Sequence, residues 1–155
     1  MRLAPWPRRG RASPNAGARR VLVPFVGELD PSVLQASIRI AKAEGAVLVP
    51  AYLLIVPLGL PEDSALKGEV EIAMPLLEAV EHAALREGVP VDARIEKGRS
   101  LTHALQRLWE VEGFDRVVVP ATANGRKGFT PKDLMWILAH APGETAILRP
   151  DPVTA

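Results

Sequence analysis

Five short segments suited to β-strands alternate with four stretches that carry apolar residues at helical spacing. This alternation restricts the fold of the 155-residue chain more than any other feature. The strand-like segments are residues 20–25, 46–56, 91–97, 115–120 and 145–148. Between them lie apolar sets three and four residues apart: Leu34, Ile38 and Ala41; then Val70, Ala73, Met74, Leu77, Val80 and Ala84; then Leu101, Ala104, Leu105 and Leu108; then Leu134, Ile137, Leu138 and Ala141. Each set falls on one face of a helix. Parallel strands need long crossovers, and right-handed crossovers in a β-α-β-α-β-α-β-α-β chain put helices on both sides of one sheet. The expected architecture is a single α/β domain on a five-stranded parallel open sheet, with no internal repeat and no second domain.

Local signals place the element ends. Asp30-Pro31 and Thr130-Pro131 each set a capping side chain before a proline at the first helical position, and Ser100 is a third capping candidate. Gly45, Gly88 and Gly113 stand where helices end. Pro50 removes a ladder donor, so the second strand is expected to be best formed after it. Pro75 lies inside the long helix over residues 65–87 and is expected to kink or split it. Residues 91–97 alternate between apolar and charged, the pattern of a half-exposed edge strand whose charges discourage aggregation.

Charge is divided unevenly along the chain. Residues 1–20 hold six arginines (Arg2, Arg8, Arg9, Arg11, Arg19 and Arg20) and no acid, which leaves 13 basic against 18 acidic residues and a net charge of −5 for the rest. The basic character therefore belongs to the tail, and an acidic body argues against specific nucleic-acid binding. Residues 1–18 have no hydrophobic period and are expected to form a disordered basic tail. It is either idle or the product of a start set too far upstream; the functional alternative is an electrostatic arm for anionic membrane or nucleic acid. The domain then covers residues 19–150, with a short tail at 151–155. The first residues lack the apolar core of a secretory signal. The longest apolar run, residues 46–60, is interrupted by Pro50 and Pro57, so no membrane span is expected. The absence of cysteine excludes disulfides, thiolate catalysis and cysteine-based zinc sites, and fits a cytoplasmic protein.

The candidate site is the turn within residues 115–131. An apolar strand leads into a small-residue loop carrying Gly125-Arg126-Lys127-Gly128, and a helix follows. In an open α/β sheet such a turn sits at the carboxyl ends of the strands, where ligands bind. Glycines let backbone N–H groups approach an anion, Arg126 and Lys127 would neutralise it, and the following helix start is expected to offer free N–H groups. The alternative is a surface loop with two solvated cations. A Gly-x-x-Gly with a basic centre is also the RNA-clamping loop of KH domains, but there it joins two helices and here a strand precedes it. The turn after the first strand, Val26-Gly27-Glu28, should face this loop across the sheet.

These residues resemble universal stress protein (UspA-like) domains. The resemblance rests on Val21-Leu22-Val23-Pro24 followed by Gly27, on the Gly88-Val89-Pro90-Val91 step, and on the closing pattern from Asp115 through Asn124-Gly125-Arg126-Lys127-Gly128 to His140-Ala141-Pro142 and a terminal apolar strand. It covers about residues 19–150. It implies a Rossmann-like sheet in the order 3-2-1-4-5 and a homodimer formed through the last strand, Thr145, Ala146, Ile147 and Leu148. It also implies that ATP, where bound, is held by a Gly-x-x-Gly loop with a later Gly-Ser or Gly-Thr pair, and by an aspartate after the first strand. This sequence departs from that motif. Val26 stands at the aspartate position, Thr122 at the first glycine and Gly125 at the second; Pro131-Lys132 fall at the Gly-Ser pair, with Gly128 as a nearby substitute.

The site expected on this basis comprises Pro24, Val26, Gly27, Ala121, Thr122, Gly125, Arg126, Lys127, Gly128 and Thr130. The expected function is a non-catalytic binding or signalling module of the stress response, holding an adenine nucleotide such as ATP weakly or not at all. The alternative is a ligand-free interaction protein acting through its dimer or partner surfaces. No enzyme activity and no metal site are expected. His82, His103 and His140 lie on three different helices without metal-site spacing, and no Gly-x-Ser-x-Gly elbow is present. Trp109 and Trp136 are read as partly buried packing residues, with a cover over the crevice or a dimer contact as alternatives for Trp136.

Overall fold

The computed structural model describes residues 18–121 and 129–149. Its elements run β1 (Arg20–Phe25), α1 (Pro31–Glu44), β2 (Val47–Ile55), α2 (Lys67–Arg86), β3 (Arg94–Gly98), α3 (Leu101–Val111), β4 (Arg116–Pro120), α4 (Pro131–His140) and β5 (Glu144–Leu148). The strands form one parallel sheet in the order β3-β2-β1-β4-β5. The sheet order thus matches the expectation, and the expected basic tail, with residues 122–128 and 150–155, lies outside the described residues.

The core sits on both faces of the sheet. Leu22, Val49, Leu53, Val117 and Val119 point to one side, where Leu105, Leu108 and Ile137 from α3 and α4 cover them. Val21, Val23, Leu48 and Val118 point to the other and meet Ile38 and Ala41 of α1 and Val80 and Ala84 of α2. Phe25, Tyr52 and Leu54 extend that second layer beneath Ala73 and Leu77 of α2. After their first residues, Arg20 and Arg116, β1 and β4 are apolar because both faces are covered.

Four expectations are corrected. β2 is continuous through Pro50 and pairs with β1 along its whole length, Val23 opposite Pro50. Leu48 donates to Pro90 and accepts from Asp92, so even-numbered residues of β2 turn their backbone groups towards β3. Pro50 therefore faces β3, just ahead of Ala51↔Arg94 where that ladder begins, and its missing N–H leaves no donor vacant. α2 is likewise one unbroken helix around Pro75, not two. In α4 only Ile137 is buried among the described face; Leu138 is 59% exposed.

The fourth correction concerns the inner face of β3. Arg94 and Glu96 are buried, while Ile95 and Lys97 are only half-covered. The charges point inwards because matching charges meet them. Arg20 of β1 reaches Asp92 at 2.8 Å and Glu112 at 2.8 Å; Arg94 binds Asp92 and meets Glu112 at 2.6 Å. Two arginines and two carboxylates thus alternate in a closed ring at the amino end of the sheet, with the Arg20 guanidinium 5.8 Å from the centre of the Phe114 ring. Burial alone would lower the Arg94 pKa, but its bonds to Glu112 and Asp92 outweigh burial and hold it above the ordinary value. Glu96 meets Arg107 of α3 at 3.4 Å.

Candidate functional site at the switch between β1 and β4

β1 has its crossovers on opposite sides: the chain leaves it for β2 on one flank, while β4 pairs with it on the other. At such a switch point the turns after the two strands diverge and leave a crevice at the carboxyl edge. The register Val21↔Arg116 and Leu22↔Val117, continued along both strands, sets Val26 opposite Ala121. These are the first residues past β1 and β4, and both were expected in the site.

The β1 side is a tight turn. Pro24 is buried at the end of the strand, and Val26 is half-buried against the core layer beneath α3 and α4. The Glu28 N–H donates to the Val26 carbonyl at 2.8 Å. Gly27 carries the bend at φ +73°, a conformation that side-chain-bearing residues rarely take, and among the described residues beyond its two chain neighbours no atom lies within 4 Å of where its Cβ would stand. Glu28 is exposed. Tyr52 of β2 lies beneath, packed edge-to-face on Phe25 with ring centres 5.4 Å apart. Burial first, and then Glu69, push the Tyr52 phenol above its ordinary pKa, against a hydrogen bond from the Gly27 backbone.

The β4 side is closed at its base. Ala121 pairs with Phe129, and its N–H donates to the Leu148 carbonyl at 2.8 Å. Phe129 is fully buried, so the residues that flank the loop are fixed to the core. Of the expected site residues, Thr122, Gly125, Arg126, Lys127 and Gly128 lie outside the described residues.

Thr130 starts α4, as expected, and two of the N–H groups at that helix start, those of Thr130 and Asp133, are taken by the cap. Thr130 Oγ1 accepts from the Asp133 N–H at 3.2 Å, and the Asp133 carboxylate accepts from the Thr130 N–H at 3.0 Å and from its hydroxyl at 2.9 Å. This is a reciprocal capping box. At α1 the same task falls to Asp30, whose carboxylate accepts from the Ser32 N–H at 2.8 Å and from its hydroxyl at 2.5 Å. Those bonds, the hydroxyl's first, hold Asp30 below its ordinary pKa.

Phe129, Tyr52 and Asp133 were not anticipated as parts of this region. Only Asp133 left a local signal, since a threonine three residues before a carboxylate is a capping pattern.

The remaining polar candidates serve structural bonds. Ser100 caps α3 by accepting from the His103 N–H at 3.2 Å, and His103 Nδ1 accepts from the Arg99 N–H at 3.1 Å. His140 Nδ1 lies 2.8 Å from the Trp136 carbonyl. Trp136 packs face-to-face on Trp109, with ring centres 5.2 Å apart and planes 7° from parallel, and His140 stacks on Trp136 at 4.7 Å. The two tryptophans therefore join α3 to α4, the packing role expected of them. Among the described residues, no group of three or more His, Asp and Glu side chains is placed to hold a metal ion, and no helix is long and apolar enough to cross a membrane.

Solved structures share this arrangement. A universal stress protein solved in complex with cAMP matches with a TM-score of 0.63 at 20% identity, over 86% of this chain and 98% of that one. The universal stress protein UspA from Lactobacillus plantarum matches with a TM-score of 0.62 at 16% identity, over 87% of this chain and all of that one. The universal stress protein from Archaeoglobus fulgidus in complex with dAMP matches with a TM-score of 0.60 at 13% identity, over 83% and 96%. No protein-family model and no curated protein matches the sequence. The sheet order, the crossovers and the coverage of whole neighbouring chains together show that this chain has the universal stress protein fold.

Proposed function

We propose that the chain is a non-catalytic binding module that takes an adenine nucleotide weakly in the crevice between the Val26–Gly27 turn and the loop that leaves Ala121. The observation that carries this reading is the switch point itself: β1 lies between β2 and β4 in the parallel sheet, with open space above Gly27 among the described residues. Two neighbours of the same fold were solved with cAMP and dAMP, which supports an adenine nucleotide as the ligand class. A binding role rather than catalysis is supported by Ser100, Thr130, His103 and His140, each of which has a side-chain atom engaged in a cap or a backbone bond: the two hydroxyls and the Nδ1 of each histidine. The cysteine-free composition fits action in the cytoplasm. The test is a thermal-shift titration of the full chain with adenine nucleotides, alongside the absorbance released from freshly purified, heat-denatured protein. A shift abolished by Gly27→Val supports the reading; no shift at millimolar nucleotide and no released adenine refute it.

A second reading, a homodimer through β5, rests on a separate observation. β5 is an edge strand, and Ile147 on it and Met135 and Leu138 on α4 are 41%, 72% and 59% exposed. Glu144 donates to Asp115 and Leu148 accepts from Ala121, so the even-numbered residues of β5 face β4. Thr145 and Ile147 turn their backbone groups outwards, as an antiparallel partner strand requires. Sedimentation equilibrium of the wild type and Ile147→Lys tests it. The expected result is a dimer converted to monomer; a wild-type monomer at high micromolar concentration refutes it.

A further inference from the structure

The sheet has a second free edge, at β3. Leu48 bonds to Pro90 and Asp92, and Val56 donates to Gly98, so the even-numbered residues of β3 face β2. Ile95 and Lys97 therefore turn their backbone N–H and C=O groups outwards, where no strand receives them. α2 lines this edge with acid. Glu71, Met74, Glu78 and Glu81 follow one another at steps of three and four, so they share one flank of the helix. Glu87, two and a half turns beyond Glu78 and so on the opposite flank, meets Lys42 of α1 at 3.3 Å. The Glu78 flank thus looks away from α1, towards the outer side of β3. Among the described residues, Glu71, Glu78 and Glu81 make no ion pair. Burial first, and then Glu78, hold Glu81 above its ordinary pKa, against the pull of His82. Lys97 does not neutralise the flank, because its ammonium donates to the Ser64 carbonyl at 2.5 Å.

A segment of the chain itself has the complementary chemistry. Residues 1–17 hold Arg2, Arg8, Arg9 and Arg11 and no acid. They join the domain just before β1, at the amino edge of the sheet. A position beyond β3 is three strand spacings from β1, about 14 Å, which about five extended residues cross. The rest of the segment is longer than the five residues of β3. We propose that residues 1–17 dock along the outer edge of β3 as a sixth strand, with their arginines on the Glu71–Glu78–Glu81 flank of α2. The pairing is antiparallel to β3, because the segment must run towards the amino edge to enter β1 there. Pro5 and Pro7 are two apart, so a strand that bonds through Ala4 and Trp6 turns both prolines away from β3. The new edge then lacks two donors and resists further pairing. The basic arm is a strap on its own domain, and its charge reaches an anionic surface only when salt or a competing polyanion lifts it.

Amide hydrogen exchange of the full chain, read by NMR at Ile95 and Lys97, tests the proposal. Their outward N–H groups exchange freely on a bare edge, and a strap docked about nine-tenths of the time slows them about tenfold. Wild-type protein at low salt should show that slowing. Arg8→Glu, Arg9→Glu and Arg11→Glu together should remove it. So should about 1 M salt, which screens charges beyond about 3 Å. Adding Glu78→Arg and Glu81→Arg to the triple variant reverses the flank as well and should restore the slowing. Unfolding midpoints identify any variant that does not fold, and the triple variant leaves α2 untouched. Equal exchange in wild-type protein and the folded triple variant overturns the proposal. So does a folded charge swap that fails to restore the slowing. Slowing that grows with protein concentration also overturns it, since a second copy would then cover the edge.

Discussion

Arg94 and Glu112 meet at 2.6 Å, the first from the inner face of edge strand β3 and the second from the residue that closes α3. Their ring with Arg20 and Asp92 balances its charges internally. Removing one member strands an opposite charge in a poorly hydrated place. Arg94→Ala is expected to cost about 3–5 kcal/mol of stability. Urea unfolding checks this, and a loss below about 1 kcal/mol would show that water replaces the guanidinium freely.

β3 and α3 approach closely at Gly98. A Cβ there would stand 2.6 Å from the Ala104 nitrogen and 2.9 Å from its Cα, both in the backbone of a helix that cannot yield locally. Gly98→Ala should therefore destabilise by about 1–3 kcal/mol. Gly113→Ala, with nothing within 4 Å, should change stability by less than about 0.5 kcal/mol. Equal midpoints for the two variants in thermal denaturation would contradict the close packing.

Stability should fall at both extremes of pH, for opposite reasons. Asp30 has a folded pKa below its ordinary 3.8. Its contribution is present above that value and is lost as pH drops through the folded pKa. Tyr52 has a folded pKa above its ordinary 10.0, so the folded state holds its proton longer and stability declines as pH rises past 10.0. Asp30→Asn should flatten the acid limb and Tyr52→Phe the alkaline one in pH-dependent unfolding. A wild-type slope retained in either variant would assign that limb to other groups.

The Trp109–Trp136 stack should be visible in solution. Parallel indoles 5.2 Å apart couple their transitions, so a paired band is expected in the far-ultraviolet circular dichroism. Trp136→Leu should abolish the band and cost about 1 kcal/mol beyond the loss of buried area. A spectrum unchanged by that substitution would mean that the rings do not stack.

What could be read in advance was local. The caps at Asp30, Ser100 and Thr130 depend on neighbours two or three residues away, and each is found where the sequence placed it. β1 and β4 were legible because a strand buried on both faces is apolar along its buried length, here after Arg20 and Arg116. The inward charges of β3 were not, because their partners Glu112 and Arg107 lie at the end of the following helix and on it, 18 and 11 residues further on. Pro50 misled for a similar reason: where the β2–β3 ladder starts is a property of the pairing, not of β2. In the candidate site, Thr130 was recognised as a cap while its partner three residues later was overlooked, and so the helix start was taken as open. The basic centre of the loop, Arg126 and Lys127, lies outside the described residues.

The pairing of Ala121 with Phe129 has a consequence for how this protein can change. Ala121 and Phe129 are held side by side, one by its β5 contact and the other by burial in the core, so the closure entropy of any segment that joins them is met by the scaffold. Insertions, deletions or a transplanted sequence between these two anchors would leave the start of α4 where it is. Sequence there can thus change while the sheet and helices stay under separate selection.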